Sequence, residues 1–573
     1  MRDTASDPAS DPVADPAAPA SPSRTPGIVN LAAVTVIVAI VGAVALTSRQ
    51  TPPPTIAEFA PQAIEQIEEA LTQDAPAAQE GSTPGSTAPD PEATGDPGAG
   101  PSDQATEPGE VIERARVRSC VGDPPRQTED PQSPPCVPFF DGDNGGATWQ
   151  GVTADEIRIA WPNLNFFLPE DPVLMQLLVD HFNRRYEFYG RKIVLAEYPS
   201  TAFAEPNPSA MTADAVLVDE ELQAFATIGY GVRDGAEYHY YDELARRGVV
   251  SAFAGLSALG TEQRFASTHP YQWSNGASLD TMFNLGADFI CTTLQGTPPQ
   301  AGTFAIPPAT RSFGVIAVRS ADGTIPPMAL LTDQLAACGA GPTLSLEDDA
   351  SNLQATNVML QMQDAGVTTV LCMCGNLNHL RTNYFEAATN QGYFPEWLVL
   401  GYANQDLDNS FTAGNANPLQ ARNVFGITLH DRLLPRQQMP WYWALREGDP
   451  AFDRVGSIYY SLLGRYSHLL QVASGIQLAG PNLTPDTFAA GLQRATFPNP
   501  GAGGPPQYQA AFDYHTRHAA RASAAMFWYA PEQAGAPDPS TPGTLCHLGG
   551  GTRYRVGQFP SEPQPFFQEP CIR

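Results

Sequence analysis

Residues Gly151–Ser200 read GVTADEIRIAWPNLNFFLPEDPVLMQLLVDHFNRRYEFYGRKIVLAEYPS, and this stretch indicates an α/β fold. Apolar side chains stand at every second position from 157 to 161, which predicts a β-strand. Apolar residues then recur every four positions from Leu174 to Phe182 and give a helix one apolar face. Gly190 ends that helix, and the apolar residues 193–195 begin the next strand. Strand, helix and strand make one βαβ unit of a parallel sheet.

The alternation of strands and helices continues towards the C-terminus and divides into two sets. Further strands are predicted at 224–228, 249–253 and 270–273 in the first set, and at 313–318, 343–346, 368–373, 397–400 and 424–429 in the second. Helices are predicted at 237–247, 278–294, 327–338, 352–364, 377–390, 457–478 and 484–495. Right-handed crossovers turn each set into a lobe, a parallel sheet flanked by helices, with a cleft between the two lobes.

Composition separates this folded part from an N-terminal leader. A large share of the 56 prolines lies before residue 150 in Pro/Ala/Asp/Gly/Ser-rich runs, which bury too little apolar area to offset their ordering entropy. We predict a disordered cytoplasmic tail at 1–26, a transmembrane helix at 27–47, a Pro-rich extracytoplasmic linker at 48–148, a two-lobe solute-binding domain at 149–535 and a disulfide-tied C-terminal tail at 536–573. Lobe 1 would comprise about 149–276 plus 440–535, and lobe 2 about 277–439.

The apolar run Ile28–Leu46 has close to the roughly 20 residues that a helix needs to cross a bilayer. Two interpretations compete. A cleaved signal peptide has a short basic region before its apolar run, but the segment before this run is long and carries Asp3, Asp7, Asp11 and Asp15. The sequence therefore favours an uncleaved single-span anchor in the cell membrane, with the C-terminal domain extracytoplasmic.

All eight cysteines follow the apolar run, and an even count on the outer side of a membrane is typical of disulfides in an oxidising compartment. They are Cys120, Cys136, Cys291, Cys338, Cys372, Cys374, Cys546 and Cys571. Local pairing favours Cys120 with Cys136 and Cys546 with Cys571. Cys291 and Cys338 each fall near the end of a predicted helix, where one edge of the sheet brings them within reach of each other.

The chain carries few signs of other chemistry. Its net charge of −30 disfavours nucleic acid, since a phosphate backbone would be repelled. Cys372 and Cys374 allow two interpretations: a disulfide or packed thiols, or a soft-metal site with His379. Two thiolates and a distant imidazole leave the metal shell incomplete, so we favour the disulfide or packed thiols. No phosphate-binding loop, zinc-protease motif or serine nucleophile elbow occurs. We therefore expect no enzyme activity, no catalytic residue, no metal and no cofactor.

The opening stretch resembles type I periplasmic solute-binding proteins, and among them the branched-chain amino-acid receptor family of ABC transporters. Members often begin with G-V-T-x-x-x-I-x-I, which residues 151–159 match, and then carry N-x-x-G-G-I-x-G-R-K-I/L. Asn183 and Gly190–Ile193 fit this second motif, whereas Tyr186-Glu187 stands at its usual glycine pair. The resemblance covers about 150–530 and implies a two-lobe fold that binds a small molecule, such as an amino acid, for transport.

In that family, loops after the strands of both lobes hold the ligand, and a hinge closes the lobes around it. Carried over position by position, the resemblance implies ligand contacts from Tyr230, Gly231, Gly255 and Ser257 in lobe 1, and from Gly375, Asn376, Tyr402 and Asn404 in lobe 2. Ser257 would offer a hydroxyl and backbone N–H groups to a carboxylate. Tyr230 or Tyr402 would cover an apolar group.

Two loops depart from the family pattern. Amino-acid binders usually present an acid to the ligand's ammonium near Tyr402–Asn404, but here the first acid is Asp406. The loop after the first strand carries Asn163, Asn165 and Phe166, which we also count as ligand contacts. An aromatic and amide lining suits a neutral or partly aromatic solute better than an amino acid.

The sequence thus predicts a membrane-anchored protein that binds a small solute between two hinged lobes, as the receptor of an ABC-type transport system. Its partners would be the solute and an ABC permease or another envelope component. The alternative is a membrane-anchored sensor or cell-envelope scaffold with an altered cleft. The long linker and the anchor favour this alternative somewhat, because a transport receptor normally diffuses or carries a lipid.

Overall fold

A computed structural model describes residues 116–573, except 124, 131, 164–171, 201, 203–206, 231–235, 253–259, 321, 413, 454–457, 495, 498–511, 536–540, 569 and 572–573. The predicted cytoplasmic tail, the transmembrane helix and the linker up to residue 115 lie outside these residues. Among the helices that are described, none has both the length and the apolar character needed to cross a membrane.

Strands and helices alternate along the described chain. The strands are β1 Cys120–Val121, β2 Arg126–Gln127, β3 Glu156–Asn163, β4 Lys192–Pro199, β5 Ala226–Ile228, β6 Val250–Ala252, β7 Gln272–Trp273, β8 Phe313–Val318, β9 Leu344–Asp348, β10 Thr369–Met373, β11 Glu396–Val399, β12 Val424–Thr428, β13 Thr496–Phe497, β14 Phe512–Asp513, β15 Ala524–Ala534, β16 Pro542–His547 and β17 Arg553–Tyr554. The helices are α1 Pro172–Arg185, α2 Pro208–Glu220, α3 Tyr238–Arg247, α4 Glu262–Ser267, α5 Leu279–Phe289, α6 Ala329–Ala337, α7 Asn352–Asp364, α8 Phe385–Asn390, α9 Pro418–Ala421, α10 Pro440–Gly448, α11 Ile458–Ala479 and α12 Pro485–Arg494.

Lobe 1 is built on a parallel sheet with the strand order β4-β3-β5-β6-β7. The predicted opening unit is present as β3, α1 and β4, and Ile157, Ile159 and Phe182 are fully buried. Residues of α11, such as Leu469 and Val472, share the same apolar core. A helix from late in the chain therefore completes the core of the lobe that the opening stretch begins.

Lobe 2 is built on a mixed sheet in the order β16-β15-β12-β11-β10-β8-β9, with β17 paired to β15. The strands from β8 to β12 are parallel, and β15 and β16 add to them as antiparallel strands. Every residue of β8 and β10 is buried, as expected for central parallel strands covered on both faces.

The C-terminal lobe boundary predicted from the sequence is wrong. Residues 524–534 form β15, which pairs with β12 of lobe 2 in the register Phe425 with Trp528, and β16 pairs with β15. Lobe 1 therefore does not extend to 535, and 536–573 is not a separate tail. The first eight residues of β15 are buried, so this apolar strand must be covered on both faces. Its place between β16 and β12 in the lobe 2 sheet provides that cover.

The N-terminal boundary is also different, because residues from 116 onwards fold onto lobe 1 rather than forming a linker to 148. The fully buried carboxylate of Glu187 forms ion pairs with Arg116 and Arg118 and accepts a hydrogen bond from the backbone N–H of Phe140 at 3.1 Å. Gln127 donates to the carbonyl of Arg185 at 2.9 Å. A buried carboxylate needs such partners, so this segment satisfies a charge that lobe 1 alone would leave unpaired.

In the described residues the chain passes between the lobes at three crossovers. The apolar cores show where these crossovers lie. Trp273, Leu433 and Ala520 belong to the core of lobe 1. Their near neighbours Ala277, Leu429 and Ala524 belong to the core of lobe 2. The intervening residues 274–276, 430–432 and 521–523 are called the hinge residues below. Such short connections can absorb a change of angle between two rigid lobes.

The eight cysteines form four disulfides, and these are Cys120–Cys136, Cys291–Cys338, Cys372–Cys374 and Cys546–Cys571. The first two and the last are the pairings that the sequence favoured. Cys372 and Cys374 are joined to each other, as in the disulfide interpretation. In the part that the structure describes, no group of three His, Cys, Asp or Glu side chains is arranged to hold a metal ion.

Candidate ligand-binding cleft

The two sheets direct the carboxyl ends of their strands towards one cleft. The crossovers leave from the carboxyl ends of β7 and β12, and loops that follow β5 and β8 meet across the cleft. Tyr238 and His239, at the start of α3, donate to the carboxylate of Asp322 in the loop after β8, with His239 Nε2 at 2.9 Å from Oδ2. The Tyr238 hydroxyl also lies 3.0 Å from the Thr324 hydroxyl. This group of four residues, the interlobe latch, joins the lobes across the cleft.

The latch favours an ionised Asp322. Burial would raise the pKa of the Asp322 carboxyl, but hydrogen bonds from Tyr238, from Thr324 and from His239 outweigh burial and lower the pKa to about 2. The Arg264 guanidinium lies 4.8 Å from the centre of the Tyr238 ring and pairs with Asp242 of lobe 1. The carboxylate of lobe 2 is thus matched by hydrogen-bond donors of lobe 1.

A second contact region involves Glu237, which precedes α3, and Tyr402, which follows β11. Tyr402 is only 1% exposed, and burial together with the Glu237 charge raises the pKa of its hydroxyl. The sequence placed Tyr402 in the ligand site. The structure packs it in the core of lobe 2, within electrostatic range of Glu237 of lobe 1.

The loop after β11 carries strained backbone. Ala403 and Asn404 have φ values of 51° and 58°, which lie in the left-handed region that disfavours residues with a Cβ. The Asn404 side chain is exposed, whereas Tyr402 and Gln405 on either side are buried. Asparagine adopts this conformation readily, so the strain lies at Ala403. Strained residues cluster at ligand sites, and this makes the loop that carries Asn404 a candidate for ligand contact.

Replacing Ala403 with glycine is expected to raise the free energy of unfolding by about 0.5–1 kcal/mol, because glycine adopts positive φ without a Cβ clash. Ala336→Gly in the last turn of helix α6 is the matched control and should lower stability, because glycine loses more backbone entropy than alanine in a helix. Chemical denaturation of the three proteins measures both effects. Equal destabilisation by both substitutions would contradict strain at Ala403.

Gly375 and Asn376 follow β10 and are half-buried at the edge of lobe 2. The Asn376 side chain accepts a hydrogen bond from the backbone N–H of Asn378 at 2.9 Å, and thus shapes its own loop. Gln405 donates to the carbonyl groups of Cys372 and Cys374 at 3.3 and 3.2 Å. The loops after β10 and β11 are therefore held together as one wall of the cleft.

Tyr230 does not line the cleft as predicted. It is 1% exposed, stacks on Tyr240 with ring centres 3.6 Å apart, and donates to Asp214 at 3.2 Å. These contacts lie within the second apolar core of lobe 1. A tyrosine after a strand can turn back onto the neighbouring helix, and here α3 supplies the stacking partner that decides its direction.

Asp406 also points away from the cleft. It is fully buried, and its Oδ2 accepts hydrogen bonds from the Thr428 hydroxyl at 2.8 Å and from the backbone N–H of Leu429 at 2.9 Å. Its other oxygen lies 3.5 Å from His430 Nε2. The first acid after Tyr402 is thus used to bind the end of β12 and is not presented to a ligand.

The remaining predicted contacts divide into two groups. Asn163 ends β3, is half-buried and donates to Glu197 on β4. Asn165, Phe166, Gly231, Gly255 and Ser257 lie outside the described residues. Their contact with a ligand therefore stays a prediction from the sequence.

Sequence reasoning missed the latch and one buried cation. Arg465 of α11 donates to the carbonyl of Gly229 at 2.9 Å, at the carboxyl end of β5. Gly229 has a φ of 70°, and a Cβ at this position would overlap the Arg465 guanidinium. The sequence could have indicated the latch, because Tyr238, His239 and Asp322 all lie in segments that follow predicted strands.

Comparison with known proteins gives similarity only at the level of structure. No family model matches the chain, and no curated protein matches it. An ABC transporter substrate-binding protein from Aeropyrum pernix is 14% identical with a TM-score of 0.47, covering 70% of this chain and 96% of that chain. A solute-binding protein of an ABC transporter from R. palustris, in complex with 4-hydroxybenzoate, is 10% identical with a TM-score of 0.48, covering 72% and 98%. An ABC transporter substrate-binding protein from Desulfitobacterium hafniense, in complex with Leu, is 13% identical with a TM-score of 0.45, covering 65% and 97%. Because these TM-scores lie below 0.5, the functional proposal below rests on the geometry of this chain.

Proposed function

We propose that this chain binds a small solute in the cleft between its lobes and serves as the receptor of an ABC-type transport system. One observation carries the proposal: the parallel strands of both lobes turn their carboxyl ends towards the crossovers, where short hinge residues join the lobes. Ligands of parallel α/β folds sit at the carboxyl ends of the strands. A solute that contacts both walls favours the closed arrangement, and a partner can recognise that change in population.

The proposal extends to the class of solute. Asp406, the acid nearest to the position where an amino acid's ammonium is usually held, is buried in contacts with Thr428 and Leu429. The exposed amide of Asn404 stands at this wall instead. We therefore propose a neutral or partly aromatic solute rather than an amino acid.

A thermal-shift screen of the full chain is expected to show stabilisation by neutral or partly aromatic solutes. A solute at about 100 times its Kd should add about 2.7 kcal/mol to the free energy of unfolding. Mass spectrometry of small molecules released from the purified chain identifies candidates for the screen. Stabilisation by amino acids alone would contradict the solute class, and the absence of any bound or stabilising solute would favour a scaffold role.

We further propose that the head lies outside the cytoplasm on the membrane anchor at 27–47. The apolar run Ile28–Leu46 supports the anchor. The four disulfides support an oxidising compartment for the head. Protease treatment of intact cells that lack an outer barrier should remove the head and leave the N-terminal tail protected.

A further inference from the structure

Residues 116–140, called the strap below, lie beside the hinge as well as on lobe 1. The Cys120–Cys136 disulfide closes most of this segment into a loop, and β1 pairs with β2 inside it. Gln127, Asp130, Gln132 and Ser133 of the strap are all buried. Buried polar side chains in a segment of this length indicate a docked element with defined partners.

The strap is fixed to lobe 1 at three places. Arg116 and Arg118 pair with Glu187, and the Arg118 guanidinium lies 4.2 Å from the centre of the Phe139 ring. Gln477 of α11 donates to the Gln127 side chain and to the carbonyl of Pro135, both at 3.0 Å. Ser133 and Tyr186 share a hydrogen bond of 3.1 Å. The strap therefore moves with lobe 1.

The hinge residues are bonded to one another through Arg521. Its Nε donates to the carbonyl of Asn275 at 3.1 Å, and its guanidinium nitrogens lie 3.2 and 3.4 Å from the Asp431 carboxylate oxygens. Backbone bonds join the same crossovers, from Ala520 to Ser274 at 3.0 Å and from Arg521 to Gly276 at 2.8 Å. Arg521 thus contacts both of the other crossovers.

The side chain of Gln132 joins the strap to this network. Gln132 Nε2 donates to Asp431 Oδ2 at 3.0 Å, across 299 positions of sequence. From the other side, Arg553 near the C-terminus donates to the carbonyl groups of His430 at 2.7 Å and Leu429 at 3.1 Å, and to Ser523. The middle crossover is therefore held by a segment fixed to lobe 1 and by a segment fixed to lobe 2.

We propose that the strap sets the resting angle of the hinge: it is fixed to lobe 1 and holds the middle crossover through Gln132 and Asp431. Its role in solute capture rests on the proposed function, but the Gln132–Asp431 hydrogen bond holds the hinge whether or not solute is bound. Opening that moves Asp431 away from lobe 1 breaks the hydrogen bond, so the strap opposes this motion.

Asp130 makes strap docking sensitive to pH. Burial raises the pKa of its carboxyl to about 6, although the backbone N–H of Gln132 and the Tyr466 hydroxyl oppose this shift. A pKa above the ordinary value means that docking is strongest below about pH 4 and weakens as the pH rises through about 6. The titratable or charged groups near Asp130 are Tyr466 of α11, Tyr186 after α1, Asp431 and Arg521 of the hinge, and Arg126 and Glu129 of the strap.

Hydrogen–deuterium exchange of the full chain without solute tests the proposal. Gln132→Ala is expected to speed exchange about fivefold in peptides that cover 274–276 and 521–523, since one hydrogen bond to a charged group is lost. Small-angle X-ray scattering should show a changed radius of gyration. Thr128→Ala, in the same strap and bonded only within it, is the control and should leave the hinge peptides unchanged. Unchanged protection of α11 peptides verifies that each variant is folded.

Two further variants keep the test decisive. Gln132→Glu preserves side-chain length and sets a carboxylate against Asp431, so it should speed hinge exchange at least as much. After correction for the intrinsic pH dependence of amide exchange, Asp130→Asn should remove the pH dependence of strap protection between about pH 4 and pH 6. The proposal is overturned if both Gln132 variants exchange at the hinge like the wild type. A chain that shows the hinge effect and binds no solute would instead overturn the proposed function alone.

Discussion

Arg311→Met is expected to lower the free energy of unfolding of lobe 2 by about 3–5 kcal/mol, because it leaves a buried carboxylate without its cation. Arg311 and Glu396 are fully buried, and two parallel hydrogen bonds join them, at 2.7 Å from Nε and 3.0 Å from Nη2. Glu396 also accepts hydrogen bonds from the backbone of Gln300 at 2.6 Å and from the Thr369 hydroxyl at 2.8 Å. It therefore joins β10 and β11 to the loop before β8.

Differential scanning calorimetry of the full chain measures this loss. Arg319→Met is the matched control, since Arg319 and Glu347 form an exposed pair on the same lobe and such pairs contribute about 0–1 kcal/mol. Glu396→Gln should also be strongly destabilising, because it leaves the buried Arg311 cation without its anion and sets an amide NH2 group against hydrogen-bond donors. Equal effects of Arg311→Met and Arg319→Met would contradict a structural role for the buried pair.

Asp322→Ala is expected to reduce the population of closed lobes about tenfold, which corresponds to about 1.4 kcal/mol. The substitution removes the acceptor for Tyr238 and His239, the latch contacts between the lobes. Hydrogen bonds to an ionised group contribute roughly 1.5–3 kcal/mol each when they are protected from water, and less at the open edge of a cleft.

Small-angle scattering without solute should show a larger radius of gyration for Asp322→Ala, and the chain should retain less co-purifying solute. Asp333→Ala, an exposed acid on α6 of the same lobe, is the control and should leave both measurements unchanged. Tyr238→Phe keeps the His239 contact and should give an intermediate effect. A scattering profile of Asp322→Ala identical to that of the wild type would show that the latch does not hold the lobes together.

Much of the fold follows from patterns that are local in sequence. The alternation at 157–161 places Ile157 and Ile159 in the core of β3, and the four-residue repeat that ends at Phe182 buries one face of α1. Such patterns work because one side of each element must leave water whatever it packs against. The same logic indicates the cleft, since loops after parallel strands share one edge of a sheet.

The candidate site followed less completely from the sequence, because the direction of a side chain depends on partners far along the chain. Tyr230 follows a strand as a ligand contact would, but Tyr240 and Asp214 hold it in the core. Asp406 follows Tyr402 closely, but Thr428 and Leu429 bind it inside lobe 2. A buried acceptor surrounded by donors is lower in free energy than one that faces water, and no local pattern reveals those donors.

By itself, the sequence determined the order of the strands from β3 to β12, the presence of two lobes and the local disulfide pairings, because these follow from periodicity and from contacts that are close in sequence. Only the tertiary structure decided that β15 joins lobe 2, that the strap belongs to the head, and that Gln132 meets Asp431 beside the hinge. These outcomes join residues that are about 70 to 350 positions apart, and they depend on which buried strands, charges and amides find partners in the folded chain.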